Sequence, residues 1–425
     1  MYNLIIYAYL LGVAIYSRFN EKVRKMWRGE RNAFSVLAQS VEQDQRYVWF
    51  HAASLGEFEQ GRPLMEQLRR EHPELKILLT FFSPSGYEVR KNYNGADIIC
   101  YLPLDTPRNA RRFLRLIRPE AAFFIKYEFW YNYLHILKHR QVPVYSVSSI
   151  FRDGQVFFRW YGKQYGRVLK CFIHFYVQNE RSRELLATLG LTNATVTGDT
   201  RFDRVLQIRD AAIDVEPITH FRQASAGKKI MIVGSSWESD EDVYLPYFVQ
   251  HREWRLVIAP HVVSTERVGR LQKRLQDLGL TSMTLSQIGD IATNGNGYEK
   301  LDATTFPQTD VVIIDSYGLL SSIYHYADVT YVGGGFGVGI HNVLEAAVWG
   351  KPVIFGPNNQ KFQEAQELKQ HGGSEISTAD DFARLMDGYA DATLLARHSQ
   401  AAQAYVASKA GATRLILSHA NFTIS

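Results

Sequence analysis

Cysteine is nearly absent, with only Cys100 and Cys171 in 425 residues. Two cysteines cannot build a disulfide framework, and their spacing matches no metal motif. A reducing compartment is therefore expected, and a metal site is not. Long hydrophobic runs are missing too. The most apolar stretch, Tyr2 to Tyr16, is shorter than the roughly 20 residues a spanning helix needs. Tandem repeats and long low-complexity segments are absent, which excludes repeat architectures and extended disorder. Neither sign of charge dominates, since 48 Lys and Arg stand against 43 Asp and Glu for a net charge of +5. The 46% hydrophobic and 21% charged content is that of a globular protein. A chain of 425 residues exceeds one ordinary core, so two or more domains are expected.

The positive charge is clustered in the first half. Lys22, Arg24, Lys25, Arg28 and Arg31 form one group, and Arg108, Arg111, Arg112, Arg115 and Arg118 a second. Arg159, Lys163, Arg167 and Lys170 form a third. Such clusters suit anionic partners such as phosphorylated lipids, or they are solvated helix faces. The first group directly follows the apolar stretch, and no small-residue cleavage site separates them, so a cleaved signal peptide is not expected. A tilted signal anchor, a monotopic segment lying on the membrane and a buried first helix remain open. Insertion would leave the rest of the chain on the cytoplasmic side, because the basic flank stays there.

Beyond this segment short apolar runs alternate with amphipathic stretches. The runs are YVWFH (47–51), KILLTF (76–81), IICYL (98–102), AAFFI (121–125), VPVYSVS (142–148) and FIHFYV (172–177). A polar stretch near 208–228 interrupts them, and they resume as KIMIVG (229–234), RLVIA (255–259), DVVIID (310–315), VTYVGGG (329–335) and PVIFG (352–356). Runs apolar on both faces, separated by helices, predict parallel sheets covered on both sides. Two αβ domains joined near residue 215 follow. The expected organisation is an anchor segment with its basic flank (1–34), two domains (35–214 and 215–400), and a last helix (401–425) packing back on the first domain. The segment around Ser286–Thr305, with Asn294-Gly295-Asn296-Gly297, is expected to be a mobile loop.

Several residues fall where open αβ sheets bind ligands, at carboxyl ends of parallel strands. Gly333, Gly334 and Gly335 end one strand, and the turn after them leads to a helix expected to begin near His341 and Asn342. Such a turn and helix start suit a phosphate, and Glu345 one turn on suits a ribose diol. Ser235 and His261 close two other strands of the same domain. In the first half Glu57 follows a strand at a helix start, and Glu128 follows another among aromatics. Each acid is either a helix-dipole or buried structural carboxylate, or a general base or binding group.

HAASLGE (51–57), SPSG (83–86), YEFWYN (127–132), TGDTRFD (197–203), GSSWESDE (234–241) and GGGFGVGIHNVLEAA (333–347) together resemble the motif series of the Kdo transferases. Those enzymes move 3-deoxy-D-manno-octulosonic acid (Kdo) from CMP-Kdo to a lipid A precursor. The resemblance covers almost the whole chain. It implies an α/β GT-B fold, two Rossmann-like domains with a cleft between them and an N-terminal membrane-associated helix. It also implies an inverting transfer without cofactor or metal, at the cytoplasmic face of the inner membrane. By the same resemblance Glu57 is the base and Glu128 a second essential carboxylate. Ser235, the Gly333–Gly335 turn, Asn342 and Glu345 would surround the CMP moiety. The chain departs from the family pattern in three places. Tyr131 stands in place of Pro, Arg201 replaces a Lys that would grip a phosphate or carboxylate, and His261 follows Pro260 directly, with Arg267 later. The basic side chain that meets the CMP phosphate stays open. Rival readings are a GT-B transferase with another nucleotide sugar and a non-catalytic nucleotide-binding membrane protein. Nucleic acid is not an expected partner, because the aromatics lie in core-like runs and form no stacking platform.

Overall fold

The structure, a computed structural model, describes residues 2–162, 165–225, 227–294, 306 and 308–420. The chain divides into two compact units, one of Met1–Arg204 with Lys409–Ser425 and the other of Val205–Ser408. The division falls inside the helix Arg201–Asp210, ahead of the expected junction near 215. The first turn of that helix belongs to the first unit, where Asp203 accepts the Gly411 and Thr413 backbone N–H groups at 2.5 and 2.6 Å. The second unit correspondingly ends at Ser408, and the helix Ala412–His419 lies in the first unit, where Ile416 and Leu417 join the core beside Phe58 and Leu64.

The first unit holds one parallel sheet of seven strands: β1 (Tyr47–Ala52), β2 (Lys76–Phe81), β3 (Ile98–Tyr101), β4 (Ala121–Ile125), β5 (Val144–Ser149), β6 (His174–Val177) and β7 (Ala194–Val196), in the order β3-β2-β1-β4-β5-β6-β7. The second holds β8 (Lys229–Ser236), β9 (Trp254–Pro260), β10 (Ser282–Thr284), β11 (Val311–Ile313), β12 (Val329–Val332), β13 (Val353–Phe355) and β14 (Gly373–Glu375), in the order β10-β11-β9-β8-β12-β13-β14. Central strands are buried on both faces, so their sequences are continuously apolar and not alternating. Both units are α/β, as the GT-B fold class requires. Strand order reverses between β1 and β4 in one sheet and between β8 and β12 in the other. Open αβ sheets bind ligands beyond the carboxyl ends of their strands at such reversals.

Three strands lie outside the apolar runs read from sequence. β7, β10 and β14 are three residues each and sit at sheet edges, where one neighbour and partial burial leave no two-sided apolar signal. The segment expected to be a loop from Ser286 begins as the helix Leu285–Asn294, and its remainder lies outside the described residues.

The apolar amino-terminal stretch is the helix Tyr2–Tyr16, and among the described residues no helix is long and apolar enough to cross a membrane. One face meets the protein, with Val13 buried against Met26 and Tyr101. The other exposes Leu4, Ile5, Leu11 and Ile15, with Phe19 beyond the helix end 79% exposed. An apolar patch of this kind on a soluble surface marks an interaction site. The first basic group lies on the next helix, Glu21–Ser40, where Arg24 bonds the Ser17 and Arg18 carbonyls. The second group is the solvated face of Pro107–Ile117, whose Ala110, Phe113, Leu114 and Ile117 are buried.

Candidate active site

Beyond the reversal in the first sheet stand the two carboxylates singled out above. β1 ends at Ala52, and Glu57 lies in the first turn of the helix Leu55–Glu71. Its Oε2 accepts the Ser54 backbone N–H at 2.9 Å and the Ser54 hydroxyl at 3.1 Å. Half of a capping box therefore holds the carboxylate. Burial raises the Glu57 pKa, and the negative charge of Glu128 raises it further, against the hydrogen bonding of Ser54 and the charges of Lys126 and His51. A carboxyl with raised proton affinity suits a general base.

Glu128 follows β4. Its Oε2 accepts the Trp130 indole N–H at 2.7 Å and lies 3.2 Å from His51 Nε2. Lys126, between β4 and Glu128, has φ of 60°, and Ser148 at the end of β5 has φ of 51°. Left-handed backbone at non-glycine residues costs on the order of 1 kcal/mol or more and concentrates at functional sites. Arg201 also lies here, in the first unit, and is engaged by the buried Asp199. Its backbone N–H and Nε bond that carboxylate at 2.9 and 2.8 Å, with a terminal nitrogen at 2.7 Å. Burial works to raise the Asp199 pKa, but the charge and hydrogen bonds of Arg201 bring it below the usual value. Gln60, one turn beyond Glu57, donates to Asp199 at 2.9 Å and so ties the TGDTRFD segment to the Glu57 helix.

Beyond the reversal in the second sheet, Ser235 has φ of 52°, and the β8–β9 register shifts at this point. Gly333, Gly334 and Gly335 follow β12 and are buried. A Cβ on Gly333 would lie 2.3 Å from the Ser235 carbonyl, and one on Gly335 would lie 2.5 Å from the Gly356 backbone. Gly334 has φ of 92°. The glycines thus allow backbone to cross backbone. Two of their N–H groups are engaged within the protein. Gly333 bonds the Gly234 carbonyl at 2.9 Å, Gly334 bonds Asp240 at 2.8 Å, and Gly337 and Gly339 both bond the Gly334 carbonyl at 3.0 Å. The helix expected from His341 is only Leu344–Ala347. His341 is withheld from it because its N–H returns to the Gly333 carbonyl at 3.1 Å, closing the glycine turn.

Asn342 accepts the Leu344 N–H at 3.1 Å and donates to Glu345 Oε1 at 3.0 Å, while Ser321 donates to Glu345 Oε2 at 2.5 Å. Both Glu345 oxygens thus accept from neighbouring side chains. His261 stacks against two neighbouring rings, 4.6 Å from Trp237 and 4.3 Å from His341 by centroids. The Trp237 N–H donates to His341 Nε2 at 3.2 Å. Burial, then the His261 charge, lowers the His341 pKa to about 4, and burial lowers that of His261. Arg267 does not reach this site, since its guanidinium pairs with the buried Glu241.

Residues 26–204 match the family described as 3-deoxy-D-manno-octulosonic-acid transferase (kdotransferase). The 3-deoxy-D-manno-octulosonic acid transferase of Bordetella pertussis is 28% identical over 397 residues, covering 87% of this chain and 86% of that one. The enzyme of the same name from Aquifex aeolicus is 25% identical over 350 residues, covering 80% and 84%. Along most of its length the chain is similar to Kdo transferases, and these matches mark it as a glycosyltransferase. Among solved structures, UDP-GlcNAc 2-epimerase from Neisseria meningitidis bound to UDP-GlcNAc matches with a TM-score of 0.59 at 14% identity, covering 88% of this chain and 98% of that one. That likeness concerns the fold alone.

The first unit brings together Glu57, Glu128 and Arg201, whose charges all act on Tyr127 or on one another. The second gathers Ser235, His261, the Gly333–Gly335 turn, Asn342 and Glu345. Sequence reasoning missed His51, Thr80, Asp199, Trp237 and Asp240. Each works through a partner distant in sequence, and only the position of His51 and Trp237 directly beside strand ends could have drawn attention to them.

Proposed function

We propose that the chain transfers Kdo from CMP-Kdo to a lipid A precursor by a single inverting displacement. Glu57 takes the proton of the acceptor hydroxyl as its oxygen attacks the anomeric carbon, and CMP leaves. The observation that supports this most is Glu57 itself, a carboxylate beyond the strand reversal whose proton affinity is raised by burial and by Glu128. Glu128 orients the acceptor. On the donor side Glu345 and Asn342 hold the ribose, and Ser235 with His261 meets the phosphate. With the Gly333 and Gly334 N–H groups engaged, side-chain donors carry more of the leaving charge than those two backbone groups do. The exposed apolar face of the helix Tyr2–Tyr16, with the basic residues after it, supports a monotopic seat on the cytoplasmic face of the inner membrane.

The test is transfer of labelled Kdo from CMP-Kdo to a detergent-dispersed lipid A precursor. Glu57→Gln should lower kcat by about 10²- to 10⁴-fold and leave CMP affinity intact. Retention of more than about a tenth of wild-type kcat would remove Glu57 as the base. CMP, and not UDP, should raise the melting temperature; the reverse would point to another nucleotide sugar.

A further inference from the structure

Glu128 is held by a chain of hydrogen bonds that begins inside the first sheet. The Trp49 indole N–H donates to Thr80 Oγ1 at 2.8 Å, and Thr80 Oγ1 lies 2.8 Å from His51 Nδ1. Across the ring, His51 Nε2 lies 3.2 Å from Glu128 Oε2. The sheet sets these places. Trp49 and His51 are two apart on β1 and share a face, and the register pairs His51 with Thr80 of β2. His51 and Thr80 are fully buried.

Matching of donors to acceptors favours a proton on one ring nitrogen. The single hydroxyl proton of Thr80 has two acceptors in reach, His51 Nδ1 at 2.8 Å and the Phe50 carbonyl at 3.4 Å. The shorter contact is the better bond, so Nδ1 accepts and the ring proton sits on Nε2. The opposite tautomer would press a bare Nε2 lone pair against a carboxylate oxygen. With the proton on Nε2, the Trp130 N–H, 3.0 Å from Nε2 and 2.7 Å from Glu128 Oε2, goes to the carboxylate. Both donors then converge on one oxygen. That stops rotation about the terminal carboxylate torsion, which is otherwise soft, and leaves Oε1 pointing in one direction.

The geometry points to His51 as a positioning residue whose Nε2–H, its tautomer set by Thr80, aims Glu128 at the acceptor. This rests on the assignment of Glu128 to acceptor orientation. A histidine buried merely to fill space would tolerate any substitution of similar size and polarity. A positioning histidine needs a donor at the Nε2 position. Two amides separate these roles. The Gln side-chain nitrogen reaches where Nε2 stood, whereas that of Asn reaches only as far as Nδ1.

The experiment uses the full chain with His51→Gln, His51→Asn and Thr80→Val, and measures acceptor KM, kcat and CMP affinity. It adds ring-nitrogen NMR of the ¹⁵N-histidine-labelled protein, with His51 assigned by its loss in His51→Gln. Wild type should show the proton on Nε2, and Glu128→Gln should shift that resonance. His51→Asn should lower kcat/KM for the acceptor about tenfold to a hundredfold with CMP affinity unchanged, and His51→Gln should recover most of it. Thr80→Val should fall between wild type and the Asn variant. Equal losses in the Gln and Asn variants, an Asn variant as active as wild type, or a ring proton on Nδ1 would each overturn the inference. A wild-type chain that transfers no Kdo would sink the functional reading instead. The ring-nitrogen spectrum with and without Glu128→Gln would still decide whether His51 holds that carboxylate.

Discussion

Tyr2 donates its phenolic O–H to Asp105 at 2.7 Å, and Asp105 also accepts the backbone N–H groups of Asn132 at 3.0 Å and Tyr133 at 3.2 Å. One buried carboxylate therefore holds the apolar amino-terminal helix and caps the helix Tyr131–His139, which follows Glu128 and Trp130 directly. Asn3 reinforces the link by accepting from Asn132 at 2.9 Å.

Tyr2→Phe removes the phenolic donor and keeps the ring. A hydrogen bond to a charged group contributes about 1.5–3 kcal/mol. The variant should lose stability of that order in chemical denaturation and show a raised acceptor KM, because the cap beside Glu128 loosens. An unchanged denaturation midpoint would mean that the Tyr2–Asp105 bond does not hold in solution.

The pH dependence of transfer should carry the mark of the paired carboxylates. A base must be ionised, so the rate falls as pH drops through the Glu57 pKa. Burial and then the charge of Glu128 place that pKa above the ordinary carboxylate value. Glu128→Gln deletes the second cause, so the acid limb of kcat/KM in that variant should move to lower pH. A limb that stays put or moves upward would show that Glu128 does not act on Glu57 electrostatically.

Two glycine substitutions should have opposite signs. In Gly333→Ala the new Cβ would lie 2.3 Å from the Ser235 carbonyl, so backbone must move. Overpacking of this kind costs about 1–3 kcal/mol, and CMP affinity should fall with the displaced turn. Gly269 lies in the helix Thr265–Asp277 with nothing near a new Cβ. Gly269→Ala should stabilise by about 0.5–1 kcal/mol. Calorimetric melting of both variants reads the two signs directly.

Glu30 should make stability depend on pH. It is 5% exposed, and its Oε1 has no hydrogen-bond partner among the described residues. Burial pushes its pKa from 4.5 up to about 8. The folded state therefore binds a proton that the unfolded state releases. The associated stability is complete below pH 4.5 and is lost as pH rises to about 8. Glu30→Gln cannot ionise. Its stability relative to wild type should climb with pH across that window by at most about 1.4 kcal/mol per unit. Parallel curves in denaturant titrations at several pH values would show that Glu30 ionises without cost.

Much of this was legible because parallel strands buried on both faces must be apolar along their whole length. That is why β1 to β6, β8, β9 and β11 to β13 stand out in the sequence, and why β7, β10 and β14 at the edges do not. The placement of Glu57, Glu128, Ser235 and His261 by the carboxyl ends of strands was legible for a related reason, since a residue at or soon after a strand's end is placed by that strand. The amino-terminal segment was legible only as apolar. Packing decided that one face meets the protein and the other does not.

What sequence left undetermined is everything that depends on strand order. The reversals between β1 and β4 and between β8 and β12 decide which strand ends are neighbours, and no local pattern encodes them. His51 reaches Glu128 across 77 residues, and Asp240 reaches Gly334 across 94. The glycine turn shows the difference most plainly. Its composition announced backbone able to approach a ligand, and the fold uses Gly333 to pass the Ser235 carbonyl and Gly335 to pass Gly356, with the Gly333 and Gly334 N–H groups engaged internally. Periodicity reports which side of a local element is buried. Hydrogen bonds between distant residues report how the elements were assembled, and here they set the geometry of Glu128 and of the glycine turn.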